Sequence, residues 1–125
     1  MAAGITGDGP DGSGNRRQPG PSVPPPAVEV HLLDGIATLI LCGDLDLASR
    51  PLLTRRLAQV LAGQPRRLVF DLARVGFLDC GTARLIAGSA RQLPGHPRPV
   101  IRSPVPLVRW VLAVTGLEAS CDVVD

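Results

Sequence analysis

The apolar residues from position 27 onward follow two spacings that alternate along the chain. Short apolar runs predict strands at residues 28–33, 36–42, 68–71, 100–101 and 121–124. Apolar residues three or four positions apart predict helices at residues 49–63, 82–93 and 106–116. Because strands alternate with helices after the first two strands, the sequence predicts an α/β fold with a mixed β-sheet and helices packed on it.

Turn and cap residues set the predicted boundaries of these elements. Asp34 and Gly35, between the first two strands, form a strong turn signal and predict an N-terminal β-hairpin. Residues 43–46 are polar and contain a glycine, which predicts a loop between the second strand and the first helix. Ser49 and Asp79 are expected to cap the first and second helices, because their side-chain oxygens accept hydrogen bonds from unpaired N–H groups.

Composition divides the chain into two parts. Residues 1–26 are rich in glycine and proline, end in three prolines and contain few apolar residues, which predicts a disordered leader. This segment lacks the apolar stretch of a secretory signal. Residues 27–125 are expected to form one domain with its own core. No apolar run approaches the roughly 18 residues of a membrane span, so no membrane insertion is expected.

Charge and cysteine content exclude several classes of function. The net charge is +2 and the 13 basic residues, all arginines, are scattered, which argues against nucleic-acid binding. Cys42, Cys80 and Cys121 show no metal-binding or redox spacing, so neither a zinc site nor a disulfide framework is predicted. Reduced thiols and a cytoplasmic location fit this pattern best. No cofactor is predicted. Trp110 on the third helix is expected to lie in the core, and if it is exposed it is expected to be an interface anchor.

The start of the second helix carries the most distinctive chemistry. Its first residues are Asp79, Cys80, Gly81 and Thr82, and the unpaired N–H groups of a helix N-terminus favour an anion or a phosphate. Gly81 is expected to let the backbone turn tightly. The chain contains no glycine-rich phosphate loop, nucleophile elbow or paired histidine and carboxylate. The sequence therefore predicts a binding protein and not an enzyme.

Four segments in order resemble the STAS domain, the anti-sigma factor antagonist family. They are residues 43–46 (Gly-Asp-Leu-Asp), 69–72 (Val-Phe-Asp-Leu), 77–80 (Phe-Leu-Asp-Cys) and 112–117 (Leu-Ala-Val-Thr-Gly-Leu). The resemblance covers residues 27–125 and none of the segments includes catalytic machinery.

This resemblance implies a protein-binding switch. Members of the family dock, when unphosphorylated, onto an anti-sigma factor that is also a serine/threonine kinase, and docking frees a sigma factor. Phosphorylation of a serine or threonine at the start of the helix breaks the complex, because it adds nearly two negative charges at a fitted surface. The resemblance implies partner contacts at Asp44, Asp46, Asp79, Cys80, Gly81, Thr82 and Arg84. It leaves the oligomeric state open.

The chain departs from the family pattern where the phosphate is added. The family has an aspartate, a small residue, a serine or threonine and then a glycine, whereas this chain has Gly81 at the acceptor position and Thr82 after it. Either Thr82 has become the acceptor, or the position is not phosphorylated and binding is constitutive, which is the preferred interpretation. The purely structural alternative is that Thr82 is a residue of the first helical turn whose hydroxyl caps a backbone group.

Two other functions agree with the same sequence. One is a STAS-type scaffold or subunit of a signalling or lipid-transport assembly. The other is a redox-sensing variant that acts through Cys80, since thiols at helix N-termini are favoured as reactive thiolates.

The composition of the leader generates the first prediction. Removing residues 1–26 is expected to leave the melting temperature and the partner affinity nearly unchanged, because so little apolar surface cannot offset an ordering entropy of roughly 1–2 kcal/mol per residue. Thermal melting and titration of the shortened and full-length chains with the partner test this. A drop of several degrees or a tenfold loss of affinity would contradict the prediction.

Overall fold

The computed structural model describes residues 25–125, and most of the predicted leader lies outside this range. Five strands and three helices follow one another in the predicted order. The strands are β1 (Ala27–Leu33), β2 (Ile36–Leu45), β3 (Arg67–Leu78), β4 (Val100–Arg102) and β5 (Asp122–Val124). The helices are α1 (Arg50–Ala62), α2 (Cys80–Gly88) and α3 (Pro106–Val114), and short 3₁₀ turns cover Ser89–Gln92 and Leu117–Ser120.

The strands form one mixed sheet in the order β1-β2-β3-β4-β5. β1 pairs antiparallel with β2, and every other neighbouring pair is parallel. The β1–β2 turn has positive φ at both Asp34 (53°) and Gly35 (77°), as a tight two-residue hairpin turn requires. The predicted α/β class, the mixed sheet and the N-terminal hairpin are therefore confirmed.

The helices pack against one face of the sheet. Parallel strands that follow each other in sheet order are joined by right-handed crossovers, which place successive helices on the same side. The burial of β2 agrees, because alternate residues are buried against the helices and the residues between them are half-buried. The largest side chains of this core are those of Leu39, Leu41, Leu45, Leu53, Leu68, Phe70, Leu72, Leu78, Ile86, Ile101 and Leu112. None of the helices within residues 25–125 has the length and apolar character needed to cross a membrane.

The two central strands are longer than the sequence predicts. The predicted loop at residues 43–46 is wrong, because β2 continues to Leu45 and carries Asp44 inside the strand. β3 likewise continues to Leu78, and its pairing with β2 contains two bulges that each insert one extra β3 residue. The bulges replace the two-residue alternation by burial at every third position, at Leu72, Val75 and Leu78. A strand buried at every third residue lacks the two-residue alternation from which strands are predicted.

Helix boundaries differ from the predicted ones at three points. α2 begins at Cys80, two residues early, and its last turn tightens into the 3₁₀ segment Ser89–Gln92. Ser49 precedes α1, but its side chain makes no capping bond to the helix. Gly63 follows α1 with an ordinary φ of −81°, and the left-handed residue after this helix is Gln64, with a φ of 49°.

The prediction that Trp110 belongs to the core is wrong, since its side chain is 60% exposed. The buried face of α3 is formed by Val108, Val111 and Leu112. Trp110 points away from this face, because successive residues of a helix are about 100° apart. It shares its exposed face with Leu107 and Val114, at helical spacings of three and four residues.

The two faces of α3 predict opposite effects on stability. Trp110→Ala is expected to change the free energy of unfolding by less than about 0.5 kcal/mol, as at most surface positions. Leu112→Ala, two residues away in the same helix, is expected to cost about 2–5 kcal/mol, because it leaves a cavity in the core. Urea denaturation of the two variants measures both values. Similar losses in both would show that the tryptophan is packed.

Candidate functional site

The site lies at the edge of the sheet where β2 and β3 end and α1 and α2 begin. Leu45 and Leu78 pair at the ends of the two strands, and the N–H of Asp79 donates to the carbonyl of Leu45 at 3.0 Å. Residues 44–50 and 77–84 therefore lie side by side, and we call these two segments the corner. Ligand and partner sites of open α/β sheets are typically found at this carboxyl end of the strands.

Asp79 caps α2 and also joins it to α1. One carboxylate oxygen, Oδ1, accepts the backbone N–H of Thr82 at 2.8 Å, which confirms the predicted cap. The other oxygen, Oδ2, accepts from Nη2 of Arg50 at 2.8 Å. Arg50 is the first residue of α1, so a single carboxylate ties together the starts of two helices that are 29 residues apart in the chain.

Thr82 is fully buried, with 0% of its surface exposed. Its hydroxyl oxygen accepts a hydrogen bond from Nε of Arg50 at 3.1 Å. The guanidinium of Arg50 therefore spans Asp79 and Thr82, and it separates the threonine hydroxyl from the surface. The predicted phosphorylation site is thus a hydroxyl that lies inside the protein.

The backbone of Gly81 does not explain why this residue is a glycine. Gly81 lies in the first turn of α2 and its φ is not positive, so the predicted tight turn is wrong. A Cβ atom at this position would lie 2.3 Å from Nη2 of Arg50. The guanidinium of Arg50 therefore lies where a side chain at position 81 would begin, and a larger residue there would have to displace it.

The electrostatic surroundings keep Asp79 ionised. Burial raises the pKa of this carboxyl group, but hydrogen bonds from Thr82 and Arg50, together with the charge of Arg50, outweigh burial and hold the pKa below its ordinary value of 3.8. The carboxylate and the guanidinium are both partly buried and form an ion pair at 2.8 Å. Asp79 is therefore a neutralised structural anion and not a free acid.

The other two predicted acids differ in how free their carboxylates are. Oδ1 of Asp46 accepts the backbone N–H groups of Ala48 and Ser49 at 3.1 and 3.2 Å, which orders the turn into α1. Asp44 lies in β2 with Oδ1 3.4 Å from the position of a Cβ on Gly76. Among residues 25–125 its carboxylate makes no hydrogen bond or ion pair. Asp44 is therefore the acid available to an outside group.

Exposed apolar side chains, a thiol and one basic side chain border the corner. Leu47 is 71% exposed and Phe77 is 40% exposed, one on each of the two segments. Cys80 and Arg84 are exposed on α2. The structure thus brings all seven predicted residues to one place, with Thr82 below the surface. A redox role for Cys80 stays a prediction, and Cys42, Cys80 and Cys121 are all free thiols.

Sequence reasoning missed Arg50, Leu47 and Phe77 as parts of the site. Arg50 did leave a signal, because it occupies the first position of a helix, where the dipole disfavours a cation. Such a residue needs a partner from elsewhere in the chain, and Asp79 is that partner. Within the described range, no three histidine, cysteine or acidic side chains are placed to hold a metal ion.

The comparison with protein families covers nearly all of the described chain. The family model described as "Mlab, STAS domain" matches residues 30–125. The chain belongs to the STAS domain family. No curated protein sequence matches this STAS domain.

Solved structures share the fold of this STAS domain at low sequence identity. An anti-sigma factor antagonist from Mycobacterium paratuberculosis is 24% identical with a TM-score of 0.73, over 80% of this chain and 86% of that one. The antagonist SpoIIAA in its unphosphorylated form is 20% identical with a TM-score of 0.66, over 78% and 87% of the two chains. The phosphorylated form of the Bacillus cell fate determinant SpoIIAA is 20% identical with a TM-score of 0.60, over 78% and 90%.

The ion pair at the corner predicts a pH-dependent contribution to stability. Because the pKa of Asp79 is lower in the folded chain, its carboxylate stabilises the fold above the ordinary value of 3.8, and this contribution is lost as the pH falls toward the lowered pKa. Asp79→Asn keeps a capping oxygen but removes the charge, and is expected to cost about 1 kcal/mol at pH 7.

Urea denaturation of Asp79→Asn and the parent chain at pH 7 and at pH 3 measures this difference, which is expected to shrink at the lower pH. Asp44→Asn serves as the control, since no cation pairs with Asp44 within the described residues, and a smaller effect is expected. A constant difference for Asp79→Asn at both pH values would contradict the assignment.

Proposed function

We propose that this STAS domain is an anti-sigma factor antagonist-like regulator that binds an anti-sigma factor of the serine/threonine kinase type and so frees a sigma factor. The observation that carries the proposal is the corner, an exposed apolar border around an internally neutralised ion pair, on a fold shared with anti-sigma factor antagonists. The proposal places the protein in the cytoplasm, where a sigma factor acts.

The physical properties of the corner suit a docked protein surface. Leu47 and Phe77 offer apolar area that is removed from water on binding, at about 25 cal/mol per Å². Since Arg50 already neutralises Asp79, covering this pair with a partner leaves no unpaired charge behind. Asp44 and Arg84, which lie at the border, are free to pair with charges of the partner and to set its orientation.

We propose further that binding is constitutive. Gly81 has no hydroxyl, and the Thr82 hydroxyl is buried beneath the guanidinium of Arg50. Transfer of a phosphoryl group needs an acceptor oxygen that a kinase can bring in line with the bound nucleotide. The buried threonine supports the interpretation that no phosphate forms and that the partner is not released in this way.

The proposal predicts that this chain binds a kinase-type anti-sigma factor and that ATP does not abolish the binding. The full chain is titrated calorimetrically with a kinase-type anti-sigma factor from the same organism, and the mass of the chain is then measured after incubation with that kinase and ATP. Binding without a mass increase is expected. A stoichiometric phosphate mapped to Thr82 would show that the switch still exists, and the absence of binding to any such factor would sink the antagonist function.

Matched surface variants locate the docking site. Phe77→Asp is expected to weaken binding at least tenfold, because it places a charge in the apolar border of the corner. Trp110→Asp, also at an exposed aromatic residue but on α3, is the control and is expected to leave the affinity within about twofold. The opposite result would move the docking site from the corner to α3.

A second candidate function is a scaffold or subunit of a signalling or lipid-transport assembly. Two observations favour it: the description "Mlab" of the matching family model, and the exposed face of α3 with Leu107, Trp110 and Val114. A second contact surface suits a protein that joins other subunits. Calorimetric titration with a kinase-type anti-sigma factor separates the candidates, since only the antagonist function requires that affinity.

A further inference from the structure

Arg50 occupies the space above Gly81 with its whole guanidinium group. A Cβ atom on Gly81 would lie 2.3 Å from Nη2, 2.6 Å from Cζ and 3.0 Å from Nη1 of Arg50. Protein Cβ atoms essentially never approach other heavy atoms more closely than 3.0 Å. The volume that a side chain at position 81 needs is therefore already filled by another residue of the same chain.

The guanidinium is held in this position from two sides. Nη2 donates to Oδ2 of Asp79 at 2.8 Å, and Nε donates to the hydroxyl oxygen of Thr82 at 3.1 Å. The guanidinium is planar, so these two bonds fix the orientation of the whole group. Arg50 is flexible enough to move aside for a larger residue at position 81, but the movement disturbs the hydrogen bond that Nη2 donates to Asp79, since Nη2 is the atom in closest contact.

We infer that Arg50 controls which residues position 81 accepts: its guanidinium takes the place of a side chain there, so that a residue larger than glycine must push it away from Asp79 and Thr82. The regulatory meaning rests on the proposed function. Position 81 has no hydroxyl, and the space of its side chain is taken by a guanidinium that is already paired with Asp79. A phosphate acceptor at position 81 would have to displace that guanidinium.

A double-mutant cycle on the isolated chain tests this exclusion by thermal melting. Gly81→Ala is expected to lower the melting temperature while Arg50 is present, since the arginine must leave Asp79 and Thr82. In an Arg50→Ala background the same substitution is expected to raise it, because alanine is a better helix former than glycine. A merely structural role of Arg50 in the ion pair would make the two effects additive and would not reverse the sign.

Gly88→Ala provides the matched control in the same helix. A Cβ on Gly88 would lie 3.6 Å from Nη1 of Arg91, an ordinary contact distance, so alanine fits there without displacing anything. It is expected to raise the melting temperature in both backgrounds. If Arg50→Ala does not fold, Arg50→Met supplies the second background, with a side chain of similar reach that carries no donors.

Two outcomes overturn the inference. One is a rise in melting temperature with Gly81→Ala in the presence of Arg50, and the other is an equal fall in both backgrounds, which would mean that something else excludes a side chain. A sign change confined to position 81 supports it. Because no partner is present in this experiment, its failure would leave the proposed docking function untouched, and the failure of docking would leave this result standing.

Discussion

The guanidinium group of Arg50 holds the corner together. Arg50 is the first residue of α1 and bonds to the first-turn residues of α2, so the ends of β2 and β3 and the starts of both helices form one unit. A cation at the first position of α1 is unfavourable by itself, since it lies beside the positive end of the helix dipole. The carboxylate of Asp79 offsets this cost, and removal of either partner would leave the other charge partly buried and unpaired.

The same constraint explains the composition of the corner. The guanidinium of Arg50 lies where a side chain at position 81 would begin, and it also bonds to the hydroxyl of the buried Thr82. Positions 50, 81 and 82 are therefore in direct contact, although the sequence shows only the two neighbouring positions as a departure from the family pattern.

Sequence reasoning succeeded where a local pattern decides the structure. The Asp34-Gly35 turn, the cap at Asp79 and the order of strands and helices all follow from residues within a few positions of each other. It failed where residues far apart in the sequence determine the structure. The bulges of β3 remove the alternation that marks a strand, and the exposure of Trp110 depends on which face of α3 meets the sheet. Arg50 could only have been flagged as a misplaced cation, because its partner is 29 residues away.

The register of the hairpin decides where the chain enters the domain. Ala27, the first residue of β1, lies opposite Cys42, near the end of β2 that leads into the corner. Any segment joined ahead of Ala27 therefore starts from the same edge of the sheet as the corner. If the chain entered at the other end of β1, the preceding segment would start about one strand length, roughly 20 Å, farther from the corner. The direction of β1 therefore decides at which edge of the sheet the preceding residues join the domain.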